Sequence, residues 1–213
     1  AKRRFYDGKS MYIHNPVASL STAENFLRLI RSDTKYTEEE AHLLDLSLIV
    51  HAEHGGGNNS SLTVHVVSST DTDTYSAISA AVGSLKGRRH GGANIRVMEM
   101  MDDIKANVKG WSDEKKVRGY LYKIASKEAF DRTGLIYGEG HAVYTISDPR
   151  AVLLRDKARA LAAQKGMLDE YNLYLLIEKI APEVLYSIHG DDKRICSNVD
   201  FFSGFIHNVR YSA

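Results

Sequence analysis

Cysteine, proline and an excess of charge of either sign are all scarce in this sequence. One cysteine, Cys196, among 213 residues excludes an internal disulfide and fits a reducing compartment. Three prolines leave long stretches free for helix. Lys and Arg number 28 against 27 Asp and Glu, a net charge of +1 that gives nucleic acid no electrostatic footprint. The basic start, Lys2-Arg3-Arg4, is too short to change that. Nowhere do ~18 apolar residues run together, so no transmembrane helix is expected. The first residues, AKRRFYDGKS, lack the apolar core of a secretory leader. The cytoplasm is the expected compartment, with neither membrane nor nucleic acid as a partner. With 43% hydrophobic and 26% charged residues, the composition is that of a globular protein and excludes disorder.

Helix signals dominate what is present. Ser21-x-x-Glu24 before ENFLRLIR and Thr37-x-x-Glu40 before EEEAHLLDLSLIVHAEH are capping boxes. Asp148-Pro149 places an N-cap before a proline at the first helical position, and Gly166 is placed to end RAVLLRDKARALAAQK. IRVMEMMDDIKANV, SDEKKVRGYLYKIASKEAF and LDEYNLYLLIEKI also read as helices, the last meeting Pro182. LTVHVVSST at 62–70 suits a strand or a buried helix; its place between two strong helices favours helix. Residues 41–50 are apolar on nearly every face, which predicts burial all round, with another subunit able to contribute. The expected fold class is all-α.

Glycines gather at 55–57, 87–92, 134–140 and 204, each cluster beside a histidine or an aspartate. Such helix-end glycines let backbone N–H groups approach a ligand. His51 and His54 lie three apart near a helix C-terminus; His51 reads equally as a core or a functional histidine. A metal set of His51, Glu53, His54 and His65 lacks the HExxH spacing, so no metal is expected. His90 sits between glycines where a helix should begin, and GRRHGG lacks the established nucleotide-loop patterns. Arg150 falls in the first turn of a helix, where its fork and the N-terminal amides can hold a carboxylate together. Asp200, flanked by Val199, Phe201 and Phe202, is either an N-cap or a carboxylate placed to act as a base.

The runs HAEHGGGNNSS, LKGRRHGGAN, GEGHAVY-x3-DPR and NVDFFSG, in this order, resemble citrate synthase. The 39-residue interval from His51 to His90 agrees as well. The resemblance spans the whole chain, from the middle of the family's large domain, through its small domain, to just past the catalytic aspartate. Family members are about twice as long, on the scale of a further domain. It implies a citrate-synthase-like multi-helical fold, with a large-domain segment at 1–92, the small domain at 93–194 and a return to the large domain at 195–213.

By that resemblance the reaction condenses acetyl-CoA with oxaloacetate and water to citrate and CoA. Asp200 is the implied base that enolises acetyl-CoA, and His90 the neutral donor to the enol oxygen. His141 would polarise the oxaloacetate ketone. His54 and Arg150 would hold its carboxylates, with Asn58 and Ser60 ordering the neighbourhood. Leu135, Ile136, Tyr137, Gly138, Glu139 and Gly140, joined by Asn198, would cradle CoA. No cofactor or metal is implied, and a homodimer is the family's assembly. Two positions depart from the pattern: Arg88-Arg89 replaces the proline usual after Gly87, and Thr145 stands where many members place a base that meets CoA phosphate. The segments absent at both ends imply a chain that carries the reactive trio without a complete oxaloacetate site. The alternatives are a 2-methylcitrate synthase using propionyl-CoA, since no motif residue decides one methyl group, and a non-catalytic helical binding module.

Overall fold

A computed structural model describes residues 13–52, 57–87, 90–140, 144, 146–190 and 195–211. Among these residues the first helices are α1 (Thr22–Ile30), α2 (Glu38–Ala52), α3 (Asn59–Ser68), α4 (Thr74–Leu85) and α5 (Ala93–Asn107). They are followed by α6 (Glu114–Ala125), α7 (Pro149–Gln164), α8 (Leu168–His189) and α9 (Val199–Tyr211). The only extended pairing among the described residues is one antiparallel bridge between Glu139 and Ser197. The fold is all-α, and the 62–70 run is helical as expected. None of the described helices is long and apolar enough to cross a membrane.

The chain divides into two compact units, residues 1–51 and 52–213. In the first, Ala23 and Leu27 of α1 meet Ala41 and Leu44 of α2, with Tyr36 packed against them. Both capping boxes form: Glu24 N–H donates to Ser21 Oγ at 3.2 Å, and Glu40 N–H to Thr37 Oγ1 at 3.2 Å. Glu40 also takes the Arg31 guanidinium on both oxygens, at 2.7 and 3.0 Å, so this buried carboxylate is paired. The expectation of all-round burial for α2 is corrected. Leu43, Leu44 and Val50 are buried, but Leu48 and Ile49 are 42% and 61% exposed. A two-helix unit has only one partner face to offer, so an apolar helix in it buries one side.

The second unit is built on stripes of helical period. Val97, Met100, Met101 and Ile104 of α5, Val117, Leu121 and Ile124 of α6, and Ala151, Leu154, Ala158 and Leu161 of α7 are all buried. They enclose α8 and α9, where Tyr174 meets Phe201 and Phe205 with ring centroids 5.1 Å apart. Asp148 caps α7 by accepting the Arg150 N–H at 2.9 Å, Pro149 opens it, and Gly166 follows its end at φ +67°.

Two helix ends differ from expectation. The segment read as helix to Phe130 stops at Ala125, because the N–H groups of Glu128 and Ala129 both return to the Lys123 carbonyl. Conversely, α8 continues through Pro182 to His189. The proline deletes only the bond to the Glu178 carbonyl, while buried Ala181, Val184 and Leu185 carry the apolar stripe onward.

The approach of α9 to the turn at 138 leaves no room for a side chain. Gly138 has φ +86°, and a Cβ there would lie 2.6 Å from Phe201 Cδ2. Gly138→Ala is therefore expected to destabilise the chain by about 2 kcal/mol or more in urea titration. Gly119→Ala, inside α6 with nothing near its Cβ, is expected to stabilise by about 0.5–1 kcal/mol. Equal midpoints for the two variants would contradict the packing described.

Candidate active site

His90 is fixed from the far end of α3. Asn58, the cap of α3, accepts the Ser61 N–H at 2.8 Å and the Ser60 hydroxyl at 2.6 Å, and its amide donates to Ser61 Oγ at 2.9 Å. The Ser60 N–H, which has no helical acceptor in the first turn, donates to His90 Nε2 at 3.2 Å. Ser60 Oγ lies 2.9 Å from the same nitrogen. With the Ser60 N–H as donor, Nε2 carries a lone pair and the imidazole is neutral with its proton on Nδ1, the Ser60 hydroxyl sharing its proton between Asn58 Oδ1 and Nε2. His90 itself closes a turn through its N–H to the Gly87 carbonyl at 2.9 Å. It thus offers an uncharged N–H donor of fixed orientation.

Asp200 lies in the first turn of α9 and is half-buried. Asn198 accepts the Asp200 N–H at 3.0 Å and donates its amide to the Gly140 carbonyl at 3.0 Å. Its own N–H reaches the Gly138 carbonyl at 2.8 Å, and the Gly140 N–H reaches the Cys196 carbonyl at 2.8 Å. The turn 138–140 and the segment 196–198 are therefore clamped side by side. Asn94, four residues beyond His90, donates to Ser203 Oγ at 2.7 Å, three residues beyond Asp200. Gly204 lets α9 approach α5 closely, its Cβ position lying 3.4 Å from Val97. The first turns that follow His90 and contain Asp200 are joined directly.

Arg150 folds back onto the cap of its own helix. Its Nε and one terminal nitrogen donate to the two Asp148 oxygens at 3.0 and 2.9 Å, and its guanidinium stacks 5.9 Å from the Tyr144 ring. Asp148 is 1% exposed. This pairing holds a cation at the N-terminus of α7, which suits carboxylate binding.

In the expected CoA cradle, Ile136 and Gly138 are buried and Leu135 is exposed. Tyr137 donates its hydroxyl to Asp131 at 2.7 Å. Burial leads the causes that raise this phenol, while the Asp131 carboxyl stays below the ordinary range through its bonds to Tyr137 and Thr133, against the effect of burial. Glu139 directs its carboxyl inward, accepting the Ser197 hydroxyl at 2.7 Å. Burial holds that carboxyl well above the usual range. The carbonyls of Gly138 and Gly140 are already engaged by Asn198.

His54, His141, Glu53, Arg88, Arg89 and Thr145 lie outside the described residues. Of the remaining histidines weighed as ligands, His51 is exposed, its Nδ1 2.6 Å from the Ser47 carbonyl, and His65 is exposed on α3. Among the described residues no three His, Cys, Asp or Glu groups fall together as a metal site. Cys196 is buried with its Sγ 3.3 Å from the Tyr144 carbonyl, and burial pushes its thiol up. Asn94, Ser197 and Ser203 were not singled out in the sequence; only their places beside helix starts or glycine turns hint at them.

The sequence profile "Citrate synthase, C-terminal domain" matches residues 2–209. The citrate synthase of Deinococcus radiodurans is 39% identical over 194 residues, covering 91% of this chain and 46% of that protein. That of Haloferax volcanii is 36% identical over 188 residues, covering 88% and 44%. The crystal structure of citrate synthase from Pyrobaculum aerophilum superposes with a TM-score of 0.76 at 28% identity, covering 97% of this chain and 47% of that one. The Thermoplasma acidophilum enzyme, in ternary complex with carboxymethyl coenzyme A and oxaloacetate, gives 0.72 at 28% identity, covering 93% and 48%. The chain spans somewhat less than half the length of these relatives. Matched by that profile over nearly all its residues, it belongs to the citrate synthase family.

Proposed function

We propose that this chain supplies the reactive half of an acyltransferase that condenses acetyl-CoA with oxaloacetate and water to citrate and CoA. The observation that supports this reading is the Ser60–His90 bond, which with Nε2 as acceptor leaves His90 an uncharged donor. Enolisation is the difficult step, since a carboxylate of ordinary basicity must take a proton from a very weak carbon acid. It becomes feasible when a hydrogen bond meets the charge developing on the thioester oxygen. Asp200 takes the methyl proton, and His90 Nδ1–H donates to that oxygen. The enol carbon attacks the ketone carbon of oxaloacetate, whose oxygen receives a proton from His141. Water then cleaves the thioester of citryl-CoA, releasing CoA and citrate.

His54 and Arg150 hold the oxaloacetate carboxylates in this scheme, with Asn58 and Ser60 fixing the His90 side of the pocket. CoA lies along Leu135 to Gly140 and Asn198, contacting the groups of that turn not engaged within the fold. Acetyl-CoA is the donor we favour, in keeping with relatives that are citrate synthases. No metal or cofactor takes part. We assign the large-domain pieces to 1–92 and 195–213 and the small domain to 93–194, and we place the reaction in the cytoplasm. Assembly is as a homodimer through α3 and α4, where Leu62, Val66, Tyr75, Ile78 and Val82 are exposed apolar residues in two helices with only Ala77 buried.

The reading is tested by following thiol release from acetyl-CoA, with and without oxaloacetate, in the protein that the complete reading frame encodes. Release that depends on oxaloacetate is expected, and its absence sinks the reading. In that protein, Asp200→Ala is expected to lower turnover by about 10³-fold or more, with oxaloacetate affinity unchanged by calorimetry. Wild-type turnover in this variant would place the base elsewhere. His90→Ala is expected to lower kcat by about 10²–10³-fold, the loss of one oxyanion donor. A change confined to KM would contradict the donor role.

A further inference from the structure

Glu139 stands in the turn that leads to His141, yet its carboxyl faces the protein rather than the surface. Ser197 Oγ donates to Oε1 at 2.7 Å, and the backbones of the two residues form the one bridge among the described residues. Oε2 is buried with no hydrogen-bond partner among the described residues. From α8, Glu178 sets a second carboxylate in its field, one that Arg155 of α7 engages at 3.3 Å. The Cys196 thiol also lies within the field of Glu139. Among the described residues, an ionised Glu139 would have one hydrogen bond, no paired cation and a second carboxylate in its field; a neutral acid fits the same space without these costs.

We propose that Glu139 is a positioning residue, carried as the neutral acid, which latches the turn before His141 onto the segment before Asp200. The inference rests on the proposed condensation reaction, because it is the relative setting of these residues that the latch controls. Two backbone bonds run between 138–140 and 196–198, and the Glu139–Ser197 bond is the side-chain closure of that ladder. Gly138 pressed on Phe201 fixes one end of the ladder, and Asn198 holds both Asp200 and Gly140 at the other. A group that loosens the ladder displaces both halves of the site together.

Protonation gives the test a sign. A carboxyl raised in the folded state keeps its proton after the unfolded chain has lost its own, so stability declines as pH rises above ~4.5 and levels off beyond the folded value. In the protein encoded by the complete reading frame, the melting temperature of wild type is expected to fall relative to Glu139→Gln as the pH is raised above about 5. A pH-independent difference overturns the neutral-acid assignment, whether or not the protein has the proposed activity. For positioning, Glu139→Ala is expected to lower kcat by about tenfold at pH 7, with Glu139→Gln recovering most of that loss. If the alanine variant does not fold, Ser197→Ala removes only the hydroxyl and is expected to lower kcat in the same direction. Wild-type kcat in the folded variant tested overturns the latch, and lack of turnover in wild type itself marks failure of the proposed reaction instead.

Discussion

A single backbone N–H determines what His90 can do. Ser60 donates at 3.2 Å to Nε2, and that nitrogen cannot then hold a proton of its own. A neutral hydrogen bond of this kind contributes only about 1 kcal/mol of net stability. Its consequence is direction: the ring's remaining proton sits on Nδ1 and the ring cannot swing freely. A helix start is a suitable source of such a donor because its first N–H groups have no partner within the helix. Asn58 satisfies the Ser61 N–H and leaves that of Ser60 for the histidine.

The helices behind the site turn this local constraint into a shared geometry. Asn94 and Ser203 join the first turns of α5 and α9, and the aromatic cluster of Tyr174, Phe201, Phe202 and Phe205 anchors α9 against α8. Dense packing of this kind resists small displacements, so the residues at the helix starts inherit the rigidity of the core. Gly138 extends the same logic to the turn at 138–140, which seats directly on Phe201. The Glu139 carboxyl points into the same junction, where the Ser197 hydroxyl meets one of its oxygens.

Local features were legible in the sequence, and distant ones were not. Both capping boxes, the Asp148-Pro149 start and the Gly166 stop depend on residues within a few positions of one another. The Asn94–Ser203 bond spans 109 positions, and no periodicity announces it. His90 and Asp200 were singled out by the order of four motifs, whereas the Ser60 N–H that selects the His90 tautomer is a backbone group and leaves no mark in residue identity. The α2 segment misled because apolar composition reports a preference for burial but not whether a partner face exists. Pro182 misled in the opposite sense: one missing N–H weighs less than the buried stripe on either side of it.

Nitrogen-15 spectra of ring-labelled histidine, with His90 assigned by its loss in His90→Gln, test the central claim most directly. The account predicts a neutral ring near pH 7, protonated at Nδ1, with Nε2 bare and coupled through a hydrogen bond to the Ser60 amide. A ring protonated at Nε2, or on both nitrogens, at that pH would contradict it.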